Sequence, residues 1–506
     1  MVGWWILASV VGLLIAVVIY DLTQRKHAIL RNFPIIGHFR YMLEAVGPEL
    51  RQYIVTDNNE ERPFSRDERR WIYASSKKEN NLFGFGTDQD LENNTNTIIL
   101  KHSVFPYQDP RGHHVGDEGY LPCAKVLGAW RGRARAFRPT SIINLSAMSY
   151  GSLSAPAVEA INRGCQLAGC LHNTGEGGIA PPHDHGGGLI WQLGTGYFGA
   201  RGAGGGFDLG LLKEKVARYN VQAIEIKLSQ GAKPGKGGVL PAAKVTAEIA
   251  AIRSIPVGQS CLSPAGHSAF RDADSMLDFV ELIATETGLP VGIKSAVGEL
   301  DFWEQLAELM ATTGRGVDYI AIDGGEGGTG AAPLVFTDHV ALPFFMGFGR
   351  IYPIFARRGL HEKIVFIGSG RLGLPARASL AFALGCDMIG VAREAMLSIG
   401  CIQAQQCHTG HCPTGVATQN RWLMRGLDPT LKAARLANYM VTFRADMIGL
   451  AHACGQAHPG LLTSDRIEIL NDAFGSRTAS ELFGYDPSWG LPSAADRAAI
   501  IKVMES

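Results

Sequence analysis

The chain has 506 residues, enough for two or three domains or one large barrel with extensions, and its 47 basic and 47 acidic side chains cancel to a formal net charge of zero. At 46% apolar and 19% charged it has the composition of an ordinary globular protein, and no basic stretch points to nucleic acid. Glycine is the outlier, with 62 residues against an average usage of about 7%. Much of it clusters at 186–188, 202–206 and 324–330, next to strand-like apolar runs, where backbone approaches a flat or phosphorylated ligand closely.

In chain order, residues 1–20 carry no charged side chain. About 20 apolar residues at a rise of 1.5 Å span the roughly 30 Å hydrocarbon core of a bilayer. Trp4, Trp5 and Tyr20 lie near the ends, as interfacial aromatics do, and Arg25, Lys26, Arg31 and Arg40 follow. The expectation is a single-pass anchor in the cell membrane with the rest of the chain cytoplasmic. The alternative, a cleaved signal peptide, would need a basic start and a small-residue cleavage site, and neither is seen. Residues 21–95 are charged and irregular, but Trp71, Tyr73, Phe83 and Phe85 imply packing, so they read as a membrane-proximal segment around the main domain, without chemistry of their own.

From about 140 a strand–helix alternation sets in. Strands are expected at 141–149, 169–174, 223–229, 257–262, 290–297, 319–324, 363–368 and 388–393, with helices such as 242–253, 272–287 and 375–384 between them. Eight buried parallel strands alternating with helices predict an α/β fold, a (β/α)8 TIM barrel over 96–450. The 175–220 insertion is long and glycine-rich, as binding loops often are. Residues 451–506 form a C-terminal extension.

Barrel active sites lie at the C-terminal strand ends, with phosphate held after strands seven and eight. Gly368, Ser369 and Gly370, with Gly390, Val391, Ala392 and Arg393, offer backbone N–H groups suited to an FMN phosphate. Lys294, ending strand five, can set a positive charge beside flavin N1/O2. Ala147, Met148 and Ser149 at the end of strand one would back the isoalloxazine. Residues 368–373 also spell G-x-G-x-x-G with Glu394 at ribose distance, which alone would read as a dinucleotide fingerprint, although six strand units precede it.

Residues 400–413, GCIQAQQCHTGHCP, hold Cys401, Cys407 and Cys412, followed by Pro413. Such compact thiolate runs hold Fe–S clusters, and three cysteines with no evident fourth suit a three-iron cluster. A Cys3His zinc site through His408 or His411 and a disulfide framework stay open as alternatives, the second weakened by an odd count of nine cysteines.

These stretches also carry a family resemblance. Residues 400–419, GCIQAQQCHTGHCPTGVATQ, resemble the cluster loop of the glutamate synthase large subunit. IEIKLSQGAKPGKGGVLP (224–241), AMSYGSLS (147–154), HNTGEGG (172–178) and GGTGAAP (327–333) match in the same order. The extended N-terminus is similar to stand-alone, membrane-anchored FMN-binding glutamate synthase proteins. The resemblance implies FMN and a [3Fe–4S] cluster on Cys401, Cys407 and Cys412. It also implies a 2-oxoglutarate pocket from Lys227, Gln230, Lys233 and Arg253, with Glu176 and Lys233 as catalytic residues. The implied activity is reductive amination of 2-oxoglutarate to glutamate, with ammonia or an amine as the nitrogen source. Alternatives are an N-methylglutamate synthase-type enzyme and a flavin/Fe–S relay subunit without turnover.

Two departures bear on the substrate. Residues 323–330 read DGGEGGTG where the family tends to have S-G-H-D-G-G-T-G, so a histidine is missing, and Lys236 stands where the family often has an acid. Residue two is Val2 rather than a cysteine nucleophile, and about 55 residues follow 450, so neither a glutaminase module nor a long C-terminal β-helix is expected. With the one G-x-G-x-x-G assigned to the FMN phosphate, no separate nicotinamide-binding domain is expected, so a separate electron donor, ferredoxin-like or a reductase subunit, is implied; nucleic acid is not, and homo-oligomerisation stays open.

Overall fold

A run of four or five residues buried on both faces cannot be the half-wet strand of an open sheet; it needs a layer on each side. In a computed structural model describing residues 2–47, 60–110, 120–472 and 474–505, eight short runs of this kind close on themselves. They are β1 (Ile143–Leu145), β2 (His172–Asn173), β3 (Leu189–Leu193), β4 (Val221–Lys227), β5 (Val291–Ser295), β6 (Tyr319–Asp323), β7 (Val365–Ser369) and β8 (Met388–Val391). Each pairs in parallel with its neighbours in sequence, and β8 returns to β1 through Ile389↔Ile143 and Val391↔Leu145. The fold is the expected closed (β/α)8 barrel.

Two expected strands are corrected. The third stave is Leu189–Leu193, which lies inside the stretch taken for an insertion, so Lys227 leaves the fourth stave rather than the third. Residues 257–262 are not in the barrel: Cys261–Leu262 pairs antiparallel with Val239–Leu240 in a two-stranded hairpin beside the mouth. The helix expected over 242–253 starts only at Ala247, where Thr246 caps it by accepting from the Ile249 N–H.

Outside the barrel, α1 (Val2–Thr23) is an exposed apolar helix, and α2 (Arg66–Lys77) is a capped amphipathic one whose Ser65 and Glu68 form a reciprocal capping box. Trp71 of α2 packs edge-on against Tyr439 and Phe443. Those two rings belong to the 25-residue α4 (Pro429–Ala453), which crosses α3 (Ala155–Ala168) at close range. The crossing depends on Gly164: a Cβ there would lie 2.8 Å from Leu436 Cδ2 and 3.0 Å from the Ala433 carbonyl. The C-terminal region returns to the front of the domain, where Ile467–Leu470 pairs antiparallel with both Ile98–Leu100 and Ser476–Thr478.

Of 21–95, residues 48–59 lie outside the described residues. The remainder does more than wrap: Arg62, Pro63 and Phe64 reach the mouth of the barrel, so the expectation that this segment holds no part of the site is corrected. The G-x-G-x-x-G at 368–373 follows β7 of a closed barrel instead of opening a dinucleotide-binding unit. Glu394 is turned inward there and accepts from the Gly373 N–H at 3.1 Å.

Candidate active site

The C-terminal ends of the staves open into a cavity of about 610 Å³. Its wall includes Ala147, Met148, Ser149, Glu176, Lys227, Gln230, Lys233, Arg253, Lys294, Ser369, Gly370, Gly390, Ala392, Arg393, Cys401 and Cys407. Three expected residues stay out of it. Gly368 faces the barrel's outer packing, where a Cβ would lie 2.7 Å from Phe344 Cζ, and Val391 is buried within β8. Cys412 is buried behind the wall, with its Sγ 3.5 Å from Thr414 Oγ1.

On the β4 side the wall is made of charge. Lys227 Nζ donates to Glu176 Oε1 at 2.8 Å and to Gln230 Oε1 at 3.0 Å. Burial pushes the Glu176 carboxyl up, but the Lys227 ammonium, with Lys233 and Arg253 beyond it, outweighs that and holds it below the usual carboxylate range. Two glycines make the room: a Cβ on Gly194 or Gly238 would lie 2.6 Å from a Glu176 carboxylate oxygen. Lys233 is buried, and burial followed by repulsion from Lys227 pushes it down to about 8. Arg253 is 5% exposed. It donates to the Tyr150 carbonyl at 3.0 Å and lies 5.2 Å from the centre of the Phe198 ring; its Nε has no partner. Among the described residues no carboxylate pairs with Arg253 or Lys233 in an ion pair. With the one carboxylate among them, Glu176, already paired to Lys227, these two buried cations leave anion capacity over.

The β5–β8 side is different. Lys294 Nζ sits 3.6 Å from Asp323 Oδ1 and 3.4 Å from Ser146 Oγ, long contacts that leave an ammonium hydrogen for a ligand in the cavity. Ser146 and Ser369 hydroxyls lie 3.2 Å apart. Gly370 turns with φ of 137°, a conformation open only to glycine, and Arg371 follows in the left-handed region. The result is a backbone rim at the ends of β7 and β8. Arg393 crosses it over Gly328, donating to the Glu326 carbonyl. A buried ammonium held only by the long Asp323 and Ser146 contacts, facing a rim of main-chain groups, fits the ring and phosphate of a flavin mononucleotide.

The departures from the resemblance have physical readings. Gly325 stands where the histidine would, and a Cβ there would be 2.5 Å from the Ala341 carbonyl, so no side chain fits. Glu326 turns away from the cavity, accepting from the Phe344 N–H at 2.8 Å and pairing with Arg377 at 3.3 Å. Lys236 lies over the Phe336 ring at 5.2 Å, outside the cavity wall.

Gln192 and Phe64 belong to the wall without counterparts among the expected site residues. Gln192 on β3 and Asn173 on β2 both donate to Glu225 Oε1, at 2.7 and 2.8 Å. With its amide nitrogen so engaged, Gln192 presents its oxygen as the acceptor. The Phe64 backbone N–H and carbonyl both bond the Gln403 amide, at 3.1 and 3.0 Å, and its ring carries the guanidinium groups of Arg371 and Arg393. The only sequence signal for these was the burial expected of any apolar run.

The cysteine loop is wound through left-handed positions at Gly400, Gln403, Gln405 and Gly410. It is pinned by the Tyr73 hydroxyl, which donates to the Cys401 carbonyl at 2.8 Å. Lys244, buried, donates to the carbonyls of Cys407, Ala417 and Ser152 at 2.7, 3.0 and 3.2 Å. All three thiols are free, and burial pushes Cys401 up to about 12, with Cys412 and Cys407 adding to the rise. Three thiols are a donor set that an iron–sulfur cluster could use, and they are close enough to feel one another. Among the described residues, however, no three His, Cys, Asp or Glu side chains converge tightly enough to hold a metal as they stand.

The family model and the similar sequences agree on one family. A family model for the conserved region in glutamate synthase matches residues 133–457. The glutamate synthase large subunit-like protein YerD of Bacillus subtilis (strain 168) is 36% identical over 486 residues, covering 90% of this chain and 92% of that one. The archaeal glutamate synthase (NADPH) of Methanocaldococcus jannaschii is 37% identical over 322 residues, covering 62% of this chain and 59% of its own length. Among solved structures, a flavocytochrome b2 variant with sulfite bound superimposes with a TM-score of 0.45 at 12% identity over 88% of this chain and 90% of that one, which adds nothing to the barrel already described. The chain belongs to the glutamate synthase family of oxidoreductases, the class acting on CH–NH2 donors.

Proposed function

We propose that this chain reductively aminates 2-oxoglutarate to glutamate, taking nitrogen from ammonia or an amine and electrons from a separate donor protein. The reading rests on two buried cations without a close ion pair among the described residues, Lys233 and Arg253, beside the Lys227–Glu176 pair. A relay subunit has no use for such a dicarboxylate pocket. Lys294, Ser146–Ser149, Ser369–Gly370 and Gly390–Arg393 would hold FMN, and Cys401, Cys407 and Cys412 a [3Fe–4S] cluster. When bound, these groups would supply hydride transfer and one-electron delivery respectively.

The protein's own residues divide the remaining work. Arg253 offers a fork to one carboxylate, and Gln230 with Lys227 borders the other. Glu176, held ionised, is a poor proton donor and a good acceptor, suited to orienting the N–H bonds of the incoming amine. Lys233, pushed down to about 8, is the cavity cation able to give up and regain a proton near neutral pH, at Nζ. The 21-residue apolar stretch Gly3–Thr23, long enough to cross a bilayer, would anchor the enzyme with its barrel in the cytoplasm.

The decisive assay uses anaerobic, detergent-solubilised protein with NADPH, NADH or reduced ferredoxin, 2-oxoglutarate, and ammonia, methylamine or glutamine. Glutamate from ammonia with reduced ferredoxin is the expected product. N-methylglutamate from methylamine in its place would move the reading to the amine-dependent enzyme, and reduction without any product would support a relay. Rapid flavin bleaching by NADPH alone would overturn the requirement for a separate donor.

A further inference from the structure

The helix Ile36–Ala45, between α1 and the barrel, presents a face that nothing in the described chain covers. Ile35, Ile36, Phe39, Met42, Leu43 and Val46 recur at helical spacing as one stripe. Ile36 is 78% exposed, Phe39 59% and Met42 54%. Soluble surfaces rarely leave so continuous a row of large apolar groups in water. The inner face of the same helix is fully used. A Cβ on Gly37 would lie 3.0 Å from Leu30 Cδ2, and the Tyr41 ring meets His27 edge-on with centroids 5.0 Å apart.

The stripe begins where α1 ends, and one carboxylate locks the two together. Asp21, buried in the last turn of α1, accepts from the Ile35 N–H at 2.9 Å and lies 2.8 Å from His38 Nε2. The junction is flanked by Arg25 and Lys26, both exposed, and by Arg31 and Arg40. We propose that Ile36–Ala45 lies in the headgroup region of the bilayer that α1 crosses, its apolar stripe sunk toward the acyl chains and its cations beside anionic phosphates. The proposal rests on the reading of α1 as a membrane anchor. A second copy of the chain would also cover the stripe, but continuity with a helix exposed and apolar all round, together with the cationic flank, favours lipid.

The consequence reaches the cysteine loop. Asn32, just before this helix, donates to the carbonyls of Pro413 and Leu423, both at 2.9 Å, and its own carbonyl accepts from Trp422 Nε1 at 3.1 Å. Arg425 and Arg435 bond the carbonyls of Arg31 and Lys26 on the same segment. A helix lying in the interface therefore turns the cysteine-loop end of the barrel toward the membrane.

The test is photocrosslinking of the full chain reconstituted in phosphatidylcholine vesicles containing phosphatidylglycerol. The photoreactive residue p-benzoylphenylalanine replaces Leu13 in α1, Phe39 or Met42 on the stripe, or Leu167, an exposed position on α3, one at a time. Lipid adducts identified by mass spectrometry are expected at 13, 39 and 42 and absent at 167. Adducts at 13 without adducts at 39 and 42 overturn the interfacial helix and leave the anchor standing. No lipid adduct at any position overturns the anchor and this inference with it. Chain-to-chain adducts at 39 and 42 in place of lipid show a second copy on the stripe and also overturn it.

Discussion

The two sides of the cavity are built from different materials. Above β4 the wall consists of side chains: Lys227 pairs with Glu176 at 2.8 Å, and the charges of Lys227, Lys233 and Arg253 hold the Glu176 carboxyl low. Above β7 and β8 it is largely main chain, shaped by Gly370 and Gly390. A backbone rim answers to any ligand with a phosphate, and its integrity depends on conformation. A side-chain wall answers to one substrate and can be retuned by a single replacement. Of the two departures from the family pattern, Lys236 follows β4 and Gly325 follows β6, and neither reaches into the cavity.

Four measurements would sharpen or break that contrast, beginning with the largest effect. Cys407→Ser is expected to lose the iron entirely while flavin stays bound, because the flavin rim lies on other strand ends; iron and flavin assays on anaerobically purified protein read it. Loss of both would join the cysteine loop to the rim, and stoichiometric zinc in the parent protein would remove the cluster altogether. Gly370→Ala, which forces a side chain into a conformation costing about 1–3 kcal/mol, should lower thermal stability by that order and reduce bound flavin, with the KM for 2-oxoglutarate nearly unchanged. Arg253→Ala and Lys233→Ala should do the reverse. Each raises that KM by about tenfold or more, the loss of one charged hydrogen bond, at constant flavin content. If KM stays put in both, the side-chain wall is not the substrate wall. The smallest effect is in pH. The protonated form of Lys233 binds the dicarboxylate, so kcat/KM for 2-oxoglutarate should fall as pH rises through about 8, by about threefold between 7.5 and 8.5, a decline that Lys233→Arg should shift upward.

What the sequence made readable follows the same division. Charged residues at a strand end, such as Lys227 and Lys294, announce themselves because an apolar run leads into them. Leu189–Leu193 escaped notice because it is five residues long and set between glycines, which hid a stave inside a presumed loop. Residues 257–262 misled for the opposite reason. Their apolar residues belong to a hairpin with one wet face, where Cys261 is buried and Leu262 exposed. Gln192 was invisible in principle, since its orientation is set by Glu225, 33 positions further along the chain. Phe64 was invisible because its partner, Gln403, lies across the whole barrel in sequence.

That last pairing has a bearing on how such proteins can be taken apart. Phe64 and the Gln403 amide are bonded in both directions, as two adjacent strands would be, and Arg371 and Arg393 rest on the Phe64 ring. Phe64 is thus a tenant of the enzyme's interior. Swapping the leader for another, or shedding it during descent, could not proceed at an arbitrary junction: any cut between Arg62 and the first stave takes a piece of the ligand chamber with it. Upstream of Arg62 the chain is tied on as well, through Asn32, Arg31, Lys26 and Arg25, so a leader that leaves every such contact intact ends before Arg25.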